Sequence, residues 1–320
     1  MPGHPERPER LLAIERALAE CAWLGWERRE APLASEDELE LVHSAAHVQG
    51  IRELCAGGGG SIDPDTYAVE ASWEAARRAA GGASAMVRAL LDGEDRVGFC
   101  GTRPAGHHAE RGRAMGFCLF DGIAVAAELA VRELGVKRVL VVDWDVHHGN
   151  GTAEIFRHRD DVLVADIHQH GIFPGSGPLA DVGSGPGEGY TINLPVASGS
   201  EGEAWLSLLG HIVIPAGREF APQLILISAG FDAHRADPLA SCALDAGDFG
   251  QMACHVRDLA VELGAPLGAV LEGGYDIEAL AECVVSTLVA LGGAGEAKPA
   301  APDPLPTSRA AAQLRRYWEL

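Results

Sequence analysis

"VLVVDWDVHHGNGT", residues 139–152, opens with four aliphatic residues in a row and then places Asp143, Asp145 and His147 at every second position. An unbroken apolar run of this length is the pattern of a strand buried on both faces, and such strands belong to parallel sheets sandwiched between helices. Side chains two apart leave the same face of an extended chain, so the three polar residues project together at the strand's end. Carboxylates do not belong in the apolar middle of a sheet unless they are paired or bound to a cation.

The same pattern recurs outward from this stretch. "RVGFC" (96–100), "DVLVADIH" (161–168), "YTINLPV" (190–196), "QLILISAGFD" (223–232) and "LGAVLEGGY" (267–275) read as five further strands. Amphipathic spacing predicts helices at 8–21, 69–92, 120–134, 201–218 and 245–264. Strands alternating with helices give an α/β fold, three-layer α-β-α with a mainly parallel central sheet. Residues 1–291 read as one catalytic domain. The stretch 292–307, "GGAGEAKPAAPDPLPT", reads as a loose connector to a short helix, so that 292–320 pack on or beside the same domain.

Composition narrows the function. With 320 residues, 47% of them hydrophobic, the chain can bury a large core. Its 25 Lys and Arg against 46 Asp and Glu leave a net charge of −21, which repels a phosphate backbone and excludes direct nucleic-acid binding. Such a charge attracts cationic peptides or polyamines; it also serves simply to keep a protein soluble. No apolar run approaches the roughly 20 residues of a membrane span. "MPGHPERPERLL" carries prolines and charges where a secretory signal would be apolar, and the seven scattered cysteines form no C-x-x-C pair. These features point to a reducing, cytoplasmic setting, with the oligomeric state left open.

Parallel sheets carry their functional groups beyond the carboxyl ends of the strands, which is where Asp232 and Tyr275 join the polar residues already noted. Asp145, His147 and Asp232 would offer two carboxylate oxygens and one imidazole nitrogen, leaving positions open for water and substrate, as in a catalytic zinc site. The competing reading is a hydrogen-bonded polar cluster capping strand ends. A loop, "RPAGHHAER" (103–111), adds the adjacent imidazoles His107 and His108. The glycine-rich stretches 57–60 and 183–189 lack the Lys-Ser/Thr ending and the strand-to-helix setting of a phosphate loop.

"PAGHHA", "GFCLFD", "DWDVHHGNGT", "HQHGIFPGSG", "AGFDAH", "DP" and "EGGY" follow one another in the order found in the histone deacetylase family. The chain resembles that family, zinc-dependent deacylases that include bacterial acetylpolyamine amidohydrolases and acetoin-utilisation proteins, from residue 4 to about residue 290. It is most similar to the bacterial class II-like members, because Asn150 stands where class I enzymes carry an aspartate. The resemblance implies an arginase/deacetylase-like fold and a zinc-dependent amidohydrolase that removes acetyl or other short acyl groups from lysine side chains or related amines.

Residue by residue, it implies one Zn²⁺ on Asp145, His147 and Asp232, His108 as the proton-transfer group with Asn150 as its partner, and His107 as an electrostatic neighbour oriented by Asp143. Tyr275 faces the substrate carbonyl. Asn150 is expected to leave His108 with a lower pKa than a carboxylate would. Gly116, Phe117 and Phe173 match the wall of an acyl-lysine tunnel, and Gly273 and Gly274 let the backbone bring Tyr275 to the metal. A K⁺ site is implied around Asp143, the carbonyls of Asp145 and His147, Asp166 and Ile167, with Asp166 where many members have serine. Leu239 stands where polyamine-selective relatives carry a glutamate; Asp63 or Asp65 is expected at the rim, and Arg7 either at an inner exit channel or in a surface ion pair. Members usually have a strand earlier than this chain's first motif, so one sheet edge is expected to differ. Arginase-like binuclear hydrolases share the architecture but need an aspartate at the position of His234. A non-catalytic acyl-lysine reader is expected to lack Tyr275, one of the paired histidines or a metal ligand.

Overall fold

The computed structural model describes residues 3–301 and 305–320; residues 1 and 2, and 302–304 of the expected connector, lie outside the described residues. Eight strands are present: β1 (Gly59–Ser61), β2 (Tyr67–Val69), β3 (Val97–Cys100), β4 (Val139–Asp143), β5 (Val162–Gln169), β6 (Thr191–Val196), β7 (Leu224–Ala229) and β8 (Leu267–Leu271). The last six, which are the six apolar runs, form one sheet in the order β3-β8-β7-β4-β5-β6 with every pairing parallel. β1 and β2 form a separate antiparallel hairpin.

Alternation explains why the runs need no polar residues. In β4, Val139 and Val141 enter one hydrophobic cluster while Leu140 and Val142 enter the other, and β7 divides Leu224 and Leu226 from Ile225 and Ile227 in the same way. The first cluster contains Val87 and Ile123 from the helices Ser72–Leu91 and Gly122–Arg132. The second contains Leu18, Trp205, Phe249 and Val284 from the helices Glu9–Glu20, Gly202–Leu208, Ala246–Leu263 and Ile277–Leu291. This is the three-layer α-β-α arrangement. Each aliphatic side chain fully buried in it contributes about 1.5–3 kcal/mol.

Differences lie among the helices. The run expected at 201–218 continues to Phe220 through a π-helical turn at Leu209–Val213. The helices Ala45–Ala56, Asn150–Phe156 and Ile277–Leu291 were not expected. Near the C-terminus the helix Pro306–Leu314 lies beside β6, an edge strand, and Trp318 behind it packs against Tyr190 and Phe220. Its indole Nε1 donates to the Gly189 carbonyl at 2.9 Å, and Tyr317 Oη donates to Glu188 at 2.6 Å. An otherwise open strand edge is thereby covered.

Candidate active site

The carboxyl ends of β4, β7 and β8, three adjacent strands, bring Asp145, Asp232 and the turn 272–275 together. One potential ligand atom each from Asp145, His147 and Asp232 lies within 4.8 Å of the others, all three residues being buried. His147 Nδ1 is 3.2 Å from Asp145 Oδ1 and 3.0 Å from Asp232 Oδ2. Backbone donors hold both carboxylates: Asp145 Oδ1 accepts from His147 N at 2.9 Å and Oδ2 from Gly273 N at 2.8 Å, while Asp232 Oδ1 accepts from Val146 N at 2.8 Å.

Electrostatics in this cleft favour positive charge. Burial, and then the charge of Asp145, raise the Asp232 carboxyl. Burial works against the Asp145 charge as well, yet the imidazoles of His107 and His147 hold that carboxyl well below the usual range. Burial alone would lower His147, but the Asp232 charge and hydrogen bonds to both carboxylates push it up to about 10. The cleft thus draws in a proton or a metal ion. The carboxylates pack closely on glycine backbone: a Cβ at Gly273 would stand 2.2 Å from Asp232 Oδ2 and 2.5 Å from Asp145 Oδ2, and one at Gly230 would stand 2.1 Å from Asp145 Oδ2. Buried oxygen and imidazole donors converging within 4.8 Å of one another fit a divalent ion such as zinc.

His107 and His108 come to this cleft with ring centroids 4.0 Å apart. His107 Nδ1 meets Asp143 Oδ2 at 3.0 Å; burial opposes its charge, but Asp143, Asp145 and Glu272 raise it well above an ordinary histidine. His108 Nδ1 meets Asn150 Oδ1 at 2.9 Å. The Asn150 amide nitrogen donates to Glu110 Oε1 at 2.8 Å, which leaves its oxygen for His108. Nδ1 of His108 therefore carries the proton, and Nε2 keeps its lone pair. Burial, reinforced by the charges of His107 and His147, lowers His108 well below the ordinary value.

The turn from β8 to Tyr275 is tied at nearly every backbone group. The Glu272 carboxylate accepts from Gly106 N at 2.6 Å and His107 N at 3.1 Å, anchoring the histidine loop to β8. Arg10, fully buried, donates from Nη2 to the Glu272 carbonyl at 2.5 Å and from Nε to the Gly274 carbonyl at 2.7 Å. Its guanidinium carbon lies 4.9 Å from the centre of the Tyr275 ring. Asp237 Oδ2 accepts from Tyr275 N at 2.7 Å. No described residue hydrogen-bonds the Tyr275 hydroxyl, and burial raises it well above an ordinary phenol.

Arg10 corrects one expectation. Arg7 is exposed on the surface, and the arginine that reaches the inner turn lies three residues later, in the first turn of the helix Glu9–Glu20. Glu6 joins this group by pairing with both Arg10 and Arg103.

Of the expected tunnel residues, Gly116 has φ +57°, and a Cβ there would stand 2.4 Å from His108 Cδ2 and 2.8 Å from Phe173 Cε1. Phe173 meets His108 edge-on at 5.0 Å, and Phe117 meets Tyr275 edge-on at 5.6 Å. Leu239 is partly exposed on a loop whose N–H donates to Asp237 Oδ1 at 2.9 Å. In the hairpin loop, Asp63 Oδ1 is occupied by the N–H groups of Asp65 and Thr66, and Thr66 Oγ1 accepts from Phe117 N at 3.2 Å. His234 does not join the converging ligand atoms, its Nδ1 accepting from Ala236 N at 3.1 Å.

Asp143 and Asp166 are register partners across β4 and β5, and Ile167 follows in β5. Both carboxylates pack on Gly149: a Cβ there would stand 2.5 Å from Asp143 Oδ2 and 3.3 Å from Asp166 Oδ2, and its N–H donates to Asp166 Oδ2 at 2.8 Å. Asp166 Oδ1 also pairs with His168 Nδ1 at 2.6 Å.

Sequence reasoning passed over Glu272, Asp237, Gly230 and Arg10 as functional positions. For Glu272 the signal was present, since a carboxylate ending an apolar strand is the argument that singled out Asp143. Asp237 and Arg10 act through partners distant in the chain, which local pattern does not reveal.

The model of the histone deacetylase domain matches residues 4–291. A histone deacetylase-like amidohydrolase of Pseudomonas aeruginosa is 41% identical over 308 residues, covering 95% of this chain and 80% of its own length. A probable deacetylase of Methanothermobacter thermautotrophicus is 43% identical over 294 residues, covering 91% and 86%. The solved HD domain of HDA15 superposes with a TM-score of 0.92 at 36% identity, covering 98% of this chain and 91% of that one. With that match spanning the sheet, the buried Asp-His-Asp cluster and the paired histidines, the chain belongs to the histone deacetylase family.

Proposed function

We propose that this chain is a zinc-dependent deacylase that hydrolyses the side-chain amide of acyl-lysine, with Asp145, His147 and Asp232 as the zinc ligands. The observation that carries the reading is the hydrogen-bond chain Glu110–Asn150–His108, which leaves a neutral imidazole with a free Nε2 beside the buried ligand cluster. A divalent ion bound there polarises the acyl carbonyl and acidifies water. His108 takes the proton of the attacking water and returns it to the leaving amine. His107, held by Asp143 and of high proton affinity, contributes charge. Tyr275, its hydroxyl uncommitted, donates to the carbonyl oxygen as that oxygen gains charge. Gly116, Phe117 and Phe173 grip the extended acyl-lysine stem, while Gly273 and Gly274 give the backbone its approach to the site.

Among the described residues Asp145, His147 and Asp232 are the one group of three or more convergent ligands, and His234, standing outside it, supports a single divalent ion over an arginase-like pair. The facing carboxylates of Asp143 and Asp166 support K⁺ held by Asp143, Asp166 and Ile167. An apolar Leu239 at the mouth favours acyl-lysine peptides over acetylpolyamines. Residues 4–291 carry the catalysis, and the segment from 292 serves as a packed extension of the same domain. No helix among the described residues is long and apolar enough to cross a membrane, and all seven cysteines are free, which supports a reducing compartment. The test is kcat/KM on the zinc-loaded protein for acetyl-lysine peptides, N-acetylputrescine and longer acyl analogues. Peptides should lead; preference for N-acetylputrescine would move the assignment to small N-acyl amines, and hydrolysis of none would end it.

A further inference from the structure

Asp237 hydrogen-bonds none of the proposed ligand or catalytic side chains, yet its buried carboxylate joins two parts of the site by backbone N–H groups. One oxygen accepts from Tyr275 N at 2.7 Å and the other from Leu239 N at 2.9 Å. Its own N–H donates to the His234 carbonyl at 2.9 Å, which seats it on the turn that follows Asp232.

The Tyr275 side depends on it particularly. Within the turn, Gly273 N is held by Asp145, the Gly273 carbonyl accepts from Phe231 N at 3.1 Å, and the carbonyls of Glu272 and Gly274 are held by Arg10. The Tyr275 N–H is answered by Asp237 alone. Asp276 is committed elsewhere, since its side chain accepts from Ala279 N to cap the helix Ile277–Leu291. Gly274, at φ +118°, permits the turn, and the peptide that follows is held at its carbonyl by Arg10 and at its N–H by Asp237. Phe117 and Arg10 border the Tyr275 ring, so they limit its tilt, whereas the peptide orientation decides how far the hydroxyl reaches. A small rotation there is amplified along the ring to its tip.

We propose that Asp237 is a positioning residue for the reaction, holding the Tyr275 backbone in register with the mouth loop of Leu239 so that the hydroxyl meets the substrate carbonyl. The inference rests on the deacylase reading of Tyr275. A purely structural role, in which Asp237 merely satisfies two buried N–H groups, makes a different prediction, because such a role does not depend on the hydroxyl.

The experiment is a double-mutant cycle on an acetyl-lysine peptide, with kcat, KM, metal content and melting curves for wild type, Asp237→Asn, Tyr275→Phe and the double variant. Asparagine keeps the shape but turns an NH2 group toward one of the two N–H donors. Asp237→Asn should lower kcat about 10- to 100-fold, with KM within about threefold and one equivalent of metal retained. In the Tyr275→Phe background the same substitution should cost less than about twofold, because the hydroxyl to be positioned is gone. Equal losses in both backgrounds would overturn the positioning role. If Asp237→Asn does not fold, Asp237→Glu, which keeps the charge and displaces it by one methylene, completes the same cycle. Undiminished kcat in Tyr275→Phe alone would instead remove the reading of Tyr275 itself, so the two failures are distinct.

Discussion

Replacing Gly273 with alanine should empty the metal site while leaving the fold standing. The new methyl carbon would lie 2.2 Å from Asp232 Oδ2 and 2.5 Å from Asp145 Oδ2, where ordinary contact begins at 3.4 Å. Asp232 would therefore have to retreat by about 1.2 Å, whereas a metal site tolerates displacements of about 0.2 Å. Neither carboxylate can turn aside freely, because Asp232 is held by Val146 N and Asp145 by His147 N and by Gly273 N itself. Loss of an outer-shell contact typically weakens metal affinity about 10- to 100-fold. Displacing a ligand should exceed this, so zinc is expected to bind at least about 100-fold more weakly, roughly 2.7 kcal/mol. Zinc affinity by competition with a chromophoric chelator, metal content after dialysis and kcat/KM are the measurements. Gly135→Ala is the control: it must accept an unfavourable φ, +77°, but has nothing within 4 Å. That variant should lose about 1–2 kcal/mol of stability and keep its zinc. If Gly273→Ala bound zinc as tightly as wild type, the carboxylates packed on Gly273 could not be the ligands.

Three further outcomes are expected. His108→Ala should lose more kcat than His107→Ala, since proton transfer contributes about 10²–10⁴-fold; the reverse order would exchange or refute their roles. Metal-free protein should regain activity with about one equivalent of zinc, and Asp232→Ala should abolish tight binding, whereas two tightly bound transition metals per chain would favour the binuclear reading. Glu272→Gln should lower the melting temperature by replacing the charged acceptor of the Gly106 and His107 N–H groups with a weaker neutral one, at a cost of about 1 kcal/mol; an unchanged melt would show that the charge of this anchor carries no weight.

How much of this was legible in the chain depends on the distance over which each residue acts. The strands were readable because Leu140 and Val141 serve opposite hydrophobic layers, so both must be apolar, and the sheet's parallel sense followed. Asp143, Asp145 and His147 were readable from a two-residue spacing. By contrast, the helix Ile277–Leu291 is so thoroughly buried that its apolar face lacks a clear polar counterpart. Arg7 and Arg10 sit one helical turn apart, and the selection between them is made by carbonyls more than 260 positions away. No local period encodes such a contact. The roles of Asp237 and Glu272 belong to the same class: both anchor backbone N–H groups in segments remote from their own.

The order of strands in the sheet has a consequence for the protein's biosynthesis. β4 neighbours β7, although β5 and β6 intervene in the chain, and Asp232 lies 85 residues beyond His147. At a translation rate of about 5–20 residues per second, Asp232 is added roughly 4–17 s after His147. On the proposed ligand assignment, a nascent chain therefore displays Asp145 and His147 as an incomplete chelate before Asp232 exists. Tyr275 follows later still, on the turn after β8, the strand that must insert between β7 and β3. Selection of the correct metal thus falls to the final stages of folding, when the last central strand locks the carboxylates against Gly273.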